Sequence, residues 1–296
     1  MNKIKKAVIP IGGYGTRFLP ITKSVSKEML PILNKPVIQY IIEELANSGI
    51  EEIYMIISKH KKDIIKYFSR NKKLEKKLLD NNKNIEYNSI VDNKSNVKIK
   101  FIMEKKQRGS AKAIYLAKKY IKNEDFVIVL GDDLIYAKKG NDAIKQLLDI
   151  YEKENNPVIG VHKVDESVIH KYGIIKPGRD SKIETIVEKP ELSLAPSNLA
   201  ALGRYVVPNQ IFDYIKKIDR GVGGEYQLTD VLKLMMNDID FKYKLIDGEY
   251  YDIGNKEGHV EAVISYAIRN NAFDLDKLKL RFKEEQHYNN IWKKVM

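Results

Sequence analysis

The sequence predicts an α/β fold: a doubly wound sheet with crossover helices on both faces. Two observations carry this expectation. Short β-like apolar runs alternate with segments of helical periodicity from the N-terminus to about residue 130. One of these runs, "DFVIVL" (125–130), is apolar without interruption, as a strand buried on both faces of a parallel sheet should be.

The elements follow in order. "KKAVIPI" (5–11) is a buried strand that stops at glycines. "VIQYIIEELANSG" (37–49) has its apolar residues at helical spacing and Gly49 as its C-cap. "IEEIYMIIS" (50–58) is a second strand, and a helix is expected from about His60 to Phe68. The stretch 70–95 is charged and Asn-rich, with "LEKKLL" as its only helical piece, and reads as a surface insertion. "NVKIKFIM" (96–103) is a strand and "SAKAIYLAKKYI" (110–121) a helix. Past "DFVIVL" the runs 157–164, 173–177, 183–190, 199–208 and 241–248 are strand-like. Helices are expected at about 209–217, 225–238 and 258–271. Residues 272–296 form an amphipathic tail with a basic end, suited to docking on the core or on a neighbouring subunit.

Composition narrows the classes. With 296 residues and 43% hydrophobic content, the chain can bury a substantial core as one large domain or two smaller ones. No apolar run approaches a membrane span. The basic start "MNKIKKAVIP" leads straight into a strand and lacks the apolar region of a secretory signal, so the cytoplasm is the expected location. The absence of cysteine excludes disulfides, thiolate metal sites and a cysteine nucleophile. The formal charge of +12 reads as lysine spread over solvated faces. No nucleic-acid module accompanies it, so neither a nucleic acid nor a membrane is expected as partner. A positive field still favours phosphorylated substrates.

The loop after the first strand, "IPIGGYGTRFLPITKSVSKEMLPI" (9–32), concentrates the chemistry. Gly12, Gly13 and Gly15 leave no β-carbon between backbone N–H groups and a ligand, which is how a concave anion site is built. The spacing matches neither G-x-G-x-x-G nor the P-loop. Arg17 and Lys27 supply a forked donor set and a point charge for phosphate. "VIVLGDDLI" places Asp132 and Asp133 at the C-terminal end of the central strand, where open α/β sheets gather ligands. "YYDIGNK" (250–256) adds Asp252. If Asp132 and Asp252 meet in space, they form the carboxylate pair of a magnesium–nucleotide site. In "VEKP" (187–190), Glu188 can accept sugar hydroxyls and Lys189 can hold a phosphate. No Ser–His or Cys–His pair stands out. The five histidines need no catalytic role, and His162 and His170 are expected at the surface.

These pieces together resemble the bacterial UTP–glucose-1-phosphate uridylyltransferases, from about Lys5 to Asn271. "GYGTRFLPITKSVSKEMLP", "APSNLAALGRYV" (195–206), "GVGGEYQLTD" (221–230) and "DIGNK" (252–256) carry the likeness. The resemblance implies a Rossmann-like doubly wound mixed sheet of the nucleotidyltransferase type, with C-terminal helices. A nucleotide-binding half (about 1–135) and a sugar-binding half (about 136–271) would form one domain. It implies Mg²⁺-dependent transfer of a uridylyl group from UTP to glucose 1-phosphate, giving UDP-glucose and pyrophosphate. Gly12, Gly13, Gly15, Thr16 and Gly109 would line the nucleotide, and Arg17 and Lys27 would bind the triphosphate. Asp132, with Asp252, would hold Mg²⁺. Tyr172, Gly173, Glu188 and Gly203 would contact glucose, and Lys189 would grip its phosphate. A homodimer or homotetramer is implied, with the 272–296 tail as a candidate contact.

The chain departs from the family pattern at several points. Glu104 stands where the family reads the base with Gln. An amide can serve both the N3–H and a carbonyl of uracil, whereas an ionised carboxylate only accepts. Other readings therefore stay open: a different nucleoside triphosphate with a hexose 1-phosphate, or a weakly active paralogue that binds sugar nucleotide. Lys112 replaces a His and either approaches a phosphate or faces solvent. Ser26 replaces a Pro, and Ile11–Gly12 replaces a pair of alanines.

Overall fold

The computed structural model describes residues 3–91 and 96–272, with residues 280 and 283 beyond them. β1 (Lys6–Ile11) leads into the glycine loop, which winds through 3-10 turns at Thr16–Phe18, Ile21–Lys23 and Lys27–Met29. A small ribbon of β2 (Pro31–Ile32) and β3 (Lys35–Pro36) precedes α1 (Val37–Asn47), β4 (Glu52–Ser58) and α2 (Lys62–Phe68). Then come α3 (Lys72–Asp80), α4 (Asn84–Val91), β5 (Lys98–Glu104), α5 (Ser110–Tyr115), α6 (Lys118–Ile121) and β6 (Phe126–Val129). The second half holds β7 (Asp133–Tyr136), α7 (Ala143–Glu154), β8 (Val158–Lys163), β9 (Gly173–Pro177) and β10 (Ile183–Glu188). It continues through β11 (Leu199–Val207), α8 (Ile211–Tyr214), α9 (Leu228–Met235), β12 (Lys242–Leu245), β13 (Glu249–Asp252) and α10 (Lys256–Arg269).

The main sheet runs β10-β9-β11-β6-β1-β4-β5, with β8 added to β11 and β12 to β8. β1 is parallel to β4 and β6, and β4 is parallel to β5. β11 is antiparallel to β6, so the sheet is mixed. Alternation along β1 explains why it is covered on both faces. Ala7, Ile9 and Ile11 enter one apolar layer with Ile38, Ile41 and Leu45 of α1 and Leu147 of α7. Val8 enters the opposite layer with Ile114 of α5 and Val231 and Leu232 of α9. Burying each of these Ile, Leu and Val side chains contributes about 1.5–3 kcal/mol. α1 ends where Gly49 takes φ 87°, a left-handed conformation that returns the chain toward β4.

Several expectations need correction. The insertion holds two helices, not one helical piece. The Asn71 side chain caps α3 by accepting from Leu74 N, while α4 buries no residue. The helix expected over 110–121 is two short ones, α5 and α6. The helices expected at 209–217 and 225–238 shrink to the four residues of α8 and the eight of α9. The ribbon of β7 and β13 was not anticipated, and it pairs Asp133 with Asp252. The expected tail 272–296 lies outside the described residues except at 272, 280 and 283. Among the described residues no helix is long and apolar enough to cross a membrane.

Candidate active site

Parallel pairing brings the C-terminal ends of β1, β4, β5 and β6 to one edge of the sheet, and the loops that leave them carry the site. The carbonyl of Gly12 accepts from Ser58 Oγ at 3.0 Å and from Gln107 Nε2. Gly15 is left-handed at φ 65°, and its carbonyl accepts from Thr22 Oγ1 at 2.8 Å. Nothing lies within 4 Å of the position a β-carbon on Gly13 would take. The loop is thus fixed at Gly12 and Gly15 and open at Gly13. Thr16 and Arg17 sit exposed on the 3-10 turn beside it.

Lys27 lies on the third 3-10 turn, and two acids brace that turn. Ser26 N and Ser26 Oγ each donate to Asp63 at 2.6 Å. A proline there could make neither bond. Glu28, the next residue, accepts from the buried Lys61 ammonium at 2.6 and 2.7 Å. Burial holds Lys61 below its usual pKa, with Glu28 opposing. The backbone on both sides of Lys27 is therefore held.

Lys27 Nζ lies 2.5 Å from Asp132 Oδ2. Burial disfavours both charges, but each charge favours the other. Lys27 ends above its usual pKa and Asp132 below. Asp252 follows across the β7–β13 ribbon, its Oδ1 accepting from Gly254 N at 2.9 Å. A β-carbon on Gly254 would stand 3.0 Å from Asp252 Oδ1, 3.2 Å from Asp132 Oδ2 and 3.8 Å from Arg17 Nη1. Two carboxylates and a guanidinium therefore converge on one small volume that the glycine leaves open. Two carboxylates plus phosphate oxygens is a donor set that Mg²⁺ takes. Among the described residues no group of three or more His, Cys, Asp or Glu could hold a metal. Water and substrate oxygens would complete any coordination.

Asp133 is directed away from this volume. Its Oδ1 accepts from the Tyr250 hydroxyl at 2.6 Å and its Oδ2 from Gly203 N at 3.0 Å. Burial and the neighbouring Asp132 charge push it up to about 7. Arg204, 0% exposed, pairs with Glu44 and donates from Nη2 to the Asp133 carbonyl at 3.0 Å. This buried pair locks β11 and α1 to the strand that presents Asp132. A β-carbon on Gly203 would stand 2.3 Å from Asp133 Oδ2 and 2.5 Å from Leu130 Cβ. Gly203 is therefore a close-approach point between strands, spent on Asp133.

Of the expected sugar residues, Gly203 lies on β11 against Asp133, while Tyr172, Gly173, Glu188 and Lys189 gather where β9 begins and β10 ends. Gly173 pairs with Glu188, whose Oε2 accepts from Thr229 Oγ1 at 2.8 Å. Lys189 is left-handed at φ 46°, and its N–H donates to the Tyr172 carbonyl at 2.9 Å. Its ammonium lies 3.4 Å from Glu188 Oε1. The Tyr172 hydroxyl donates to Asp252 Oδ2 at 3.4 Å, joining this group to the carboxylate pair.

Glu104 ends β5 beneath the glycine loop and is 7% exposed. Its Oε2 would lie 2.6 Å from a β-carbon on Gly12. Burial raises its pKa; the Arg108 backbone N–H and charge oppose, and Glu225 adds to the rise. Gly109, at φ 107°, is pressed against Tyr226, whose backbone O and N would lie 2.5 and 2.6 Å from a β-carbon there. Gly109 thus ties the 221–230 block to the start of α5. Lys112 does neither thing expected of it. Its ammonium donates to the Ile215 carbonyl at 3.1 Å and sits 4.4 Å from the Tyr226 ring centroid.

The nucleotidyl transferase family model matches residues 6–267. The chain belongs to that family. It is 44% identical to the UTP–glucose-1-phosphate uridylyltransferase of Staphylococcus haemolyticus, over 91% of this chain and 94% of the relative. It is also 44% identical to UTP–glucose-1-phosphate uridylyltransferase 2 of Staphylococcus saprophyticus, over 95% of this chain and all of the relative. A crystal structure of a UDP-glucose pyrophosphorylase complexed with UDP-glucose superposes with a TM-score of 0.81 at 33% identity, covering 90% of this chain and 99% of that one. A UTP-bound UGPase from Acinetobacter baumannii gives 0.83 at 30% identity, covering 95% and 98%. Nucleotidyl transferases of this family generally use a divalent metal.

His162 corrects the sequence reading among the remaining residues. It is not a surface residue: its ring packs 4.2 Å from Tyr250 and 6.0 Å from Tyr172, and its Nε2 is buried without a partner among the described residues. His170 is exposed, as expected. Asp63, Arg204, Glu44 and Tyr250 went unremarked in the sequence. Only Tyr250 carried a usable signal, as the residue two before Asp252 and so on the same strand face.

Proposed function

We propose that this nucleotidyl transferase moves a uridylyl group from UTP to glucose 1-phosphate, releasing pyrophosphate and UDP-glucose. The convergence of Asp132, Asp252 and Arg17 over Gly254, beside Lys27, is the observation that carries this reading. The two staphylococcal relatives name the substrates, over more than nine-tenths of the chain. Residues 1–135 take the nucleotide and 136–271 the sugar, and the protein works in the cytoplasm as a homodimer or homotetramer.

The mechanism follows from charge. A sugar phosphate, with its second pKa near ~6, is already a dianion at pH 7, so the nucleophile needs no protein base. The obstacle is repulsion between two anions brought together at the α-phosphorus. Backbone N–H groups of the Gly12–Gly15 loop cradle the triphosphate, and Arg17 and Lys27 neutralise it. Lys189 holds the incoming sugar phosphate, with Glu188 and Tyr172 ordering the hexose. These groups align attack in line with the departing pyrophosphate and stabilise its charge. Asp132 and Asp252 hold Mg²⁺, which supplies further neutralisation of phosphate oxygens when bound.

Glu104 reads the base. It lies under Gly12, and burial raises its pKa, which favours the protonated form relative to an exposed glutamate. A protonated carboxyl offers one O–H donor and one carbonyl acceptor, as a Gln amide does, and so meets both a uracil carbonyl and N3–H. The direct test is pyrophosphate release from each of the four common nucleoside triphosphates with glucose 1-phosphate. UTP should lead. A clear preference for GTP, whose N1–H and N2–H₂ suit an ionised carboxylate, would reassign the base.

A further inference from the structure

Lys27 carries its ammonium on a flexible four-carbon stem, so the backbone beneath it decides where the charge can stand. That backbone is the three-residue 3-10 turn Lys27–Met29, which has no side-chain cap. Met29 N donates to the Ser26 carbonyl at 2.8 Å and Leu30 N to the Lys27 carbonyl at 3.1 Å. So short a 3-10 piece holds itself weakly. Its placement depends on contacts from outside the turn.

The braces on both sides of Lys27 come from one segment, the passage from β4 into α2. Lys61 reaches Glu28 after Lys27, and Asp63 reaches Ser26 before it. The two differ in kind. Lys61 and Glu28 are 1% and 2% exposed, so removing either one strands a buried charge and threatens the fold. Asp63 is half-buried and accepts from neutral donors, so its loss strands no charge. Its Oδ2 takes the Ser26 N–H and its Oδ1 the Ser26 hydroxyl, each at 2.6 Å. Oδ1 also accepts from Ile64 N at 3.0 Å. Ile64 and Phe68 bury one side of α2 in the core, so the carboxylate is mounted on a fixed element. Ser26 sits at φ −61° and ψ 141°. A proline ring fixes φ near about −65° covalently. Asp63 therefore does through two hydrogen bonds what a proline at position 26 would do through its ring.

We propose that Asp63 is a positioning residue for Lys27: its double grip on Ser26 sets the turn so that the Lys27 ammonium stands over Asp132 and meets the incoming triphosphate. This role rests on the uridylyl-transfer reading, in which Lys27 neutralises that triphosphate.

The test is a double-mutant cycle on kcat for pyrophosphate release by the full chain, at saturating UTP, glucose 1-phosphate and Mg²⁺. Asp63→Ala should lower kcat about tenfold, as a small misplacement of a reacting group does, and leave the KM for glucose 1-phosphate within about twofold. Lys189, not Lys27, holds that phosphate. In the Lys27→Met background Asp63→Ala should cost less than about twofold more, because no ammonium is left to place. A merely structural role would cost the same in both backgrounds. Ser26→Pro added to Asp63→Ala should return kcat to within about threefold of the parent. Losses that multiply across the cycle would overturn the proposal. So would an Asp63→Ala kcat within about twofold of the parent, or a loss carried by the KM for glucose 1-phosphate. A folded Ser26→Pro/Asp63→Ala protein no more active than Asp63→Ala would do the same. If that proline variant fails to fold, the cycle decides alone. If Asp63→Ala fails to fold, Asp63→Asn, which keeps one acceptor oxygen, takes its place in the cycle under the same criteria. A parent chain that releases no pyrophosphate from UTP and glucose 1-phosphate fails the uridylyl-transfer reading, whereas multiplying losses in an active parent fail the positioning role alone.

Discussion

Lys27 Nζ and Asp132 Oδ2 stand 2.5 Å apart, so the site's central cation and its first carboxylate neutralise each other when no substrate is bound. On the proposed function, Lys27 would turn to phosphate and Asp132 to the metal when nucleotide binds, and turnover would require ionised Asp132.

Lys27→Met should lower kcat by about 10²–10³, the range for losing one preorganised charge at a reacting centre. It should also move the acid limb of the pH–rate profile. Burial raises the Asp132 pKa, and the Lys27 charge and hydrogen bond bring it below its usual value. Without Lys27 the upward push is opposed only by a backbone hydrogen bond and the more distant Lys61 charge, so the acid limb shifts to higher pH. Residual kcat followed from pH 4 to 8 checks the direction; an unmoved limb argues that Asp132 is not the titrating group.

Glu104→Gln separates a protonated acid from an amide. In the parent chain the KM for UTP should rise as pH passes upward through the raised Glu104 pKa, because the ionised form loses its donor. The variant should show a flat KM over the same range and no loss of affinity at high pH. Parallel KM profiles for the two proteins would remove Glu104 from base reading.

Two glycines in the nucleotide region should fail in different ways. Gly109→Ala combines φ 107° with contacts of 2.5 and 2.6 Å to Tyr226 backbone, so it should destabilise the fold by about 2–4 kcal/mol. Gly13→Ala meets nothing within 4 Å and should leave thermal stability unchanged while weakening UTP binding. Melting curves and UTP titrations on both variants distinguish a folding glycine from a ligand-facing one.

His162 should make stability depend on pH. Burial lowers it to about 4, well under the usual His value near ~6.5. Between these values the unfolded chain binds the proton and the folded chain does not, so stability present above pH ~6.5 is lost as pH falls toward about 4. His162→Phe keeps the aromatic packing on Tyr250 and should flatten that slope in denaturant titrations at pH 5 and 7. An unchanged slope would place the titration elsewhere.

The parallel core was legible because β1, β4 and β6 are short apolar runs bounded by turn residues, the pattern of strands covered on both faces. Most of the later strands were legible from short runs rich in β-branched and aromatic residues, although polar residues interrupt them. The β7–β13 ribbon was not, since its short strands carry Asp133 and Asp252, which read as turn residues until a partner is known. The insertion helices were only partly legible, because α4 offers no apolar face to the core. In the site, charged residues in the glycine loop and at strand ends announced themselves by position. Braces such as Asp63 on Ser26 and Arg204 on Glu44 did not, because a charge buried by a distant partner looks in sequence like any surface charge. His162 was misplaced for a related reason: the tyrosines that cover it, Tyr172 and Tyr250, come from separate segments.

The most direct test of the central claim is pyrophosphate release from UTP and glucose 1-phosphate as Mg²⁺ is titrated, comparing the parent chain with Asp132→Asn and Asp252→Asn. Turnover in the parent should depend on Mg²⁺. Both variants should fold normally, need more Mg²⁺ for half-maximal rate, and lose at least about 10²-fold in kcat. A Mg²⁺ dependence and kcat indistinguishable from the parent in either variant would contradict the claim that these two carboxylates jointly hold the metal over Gly254.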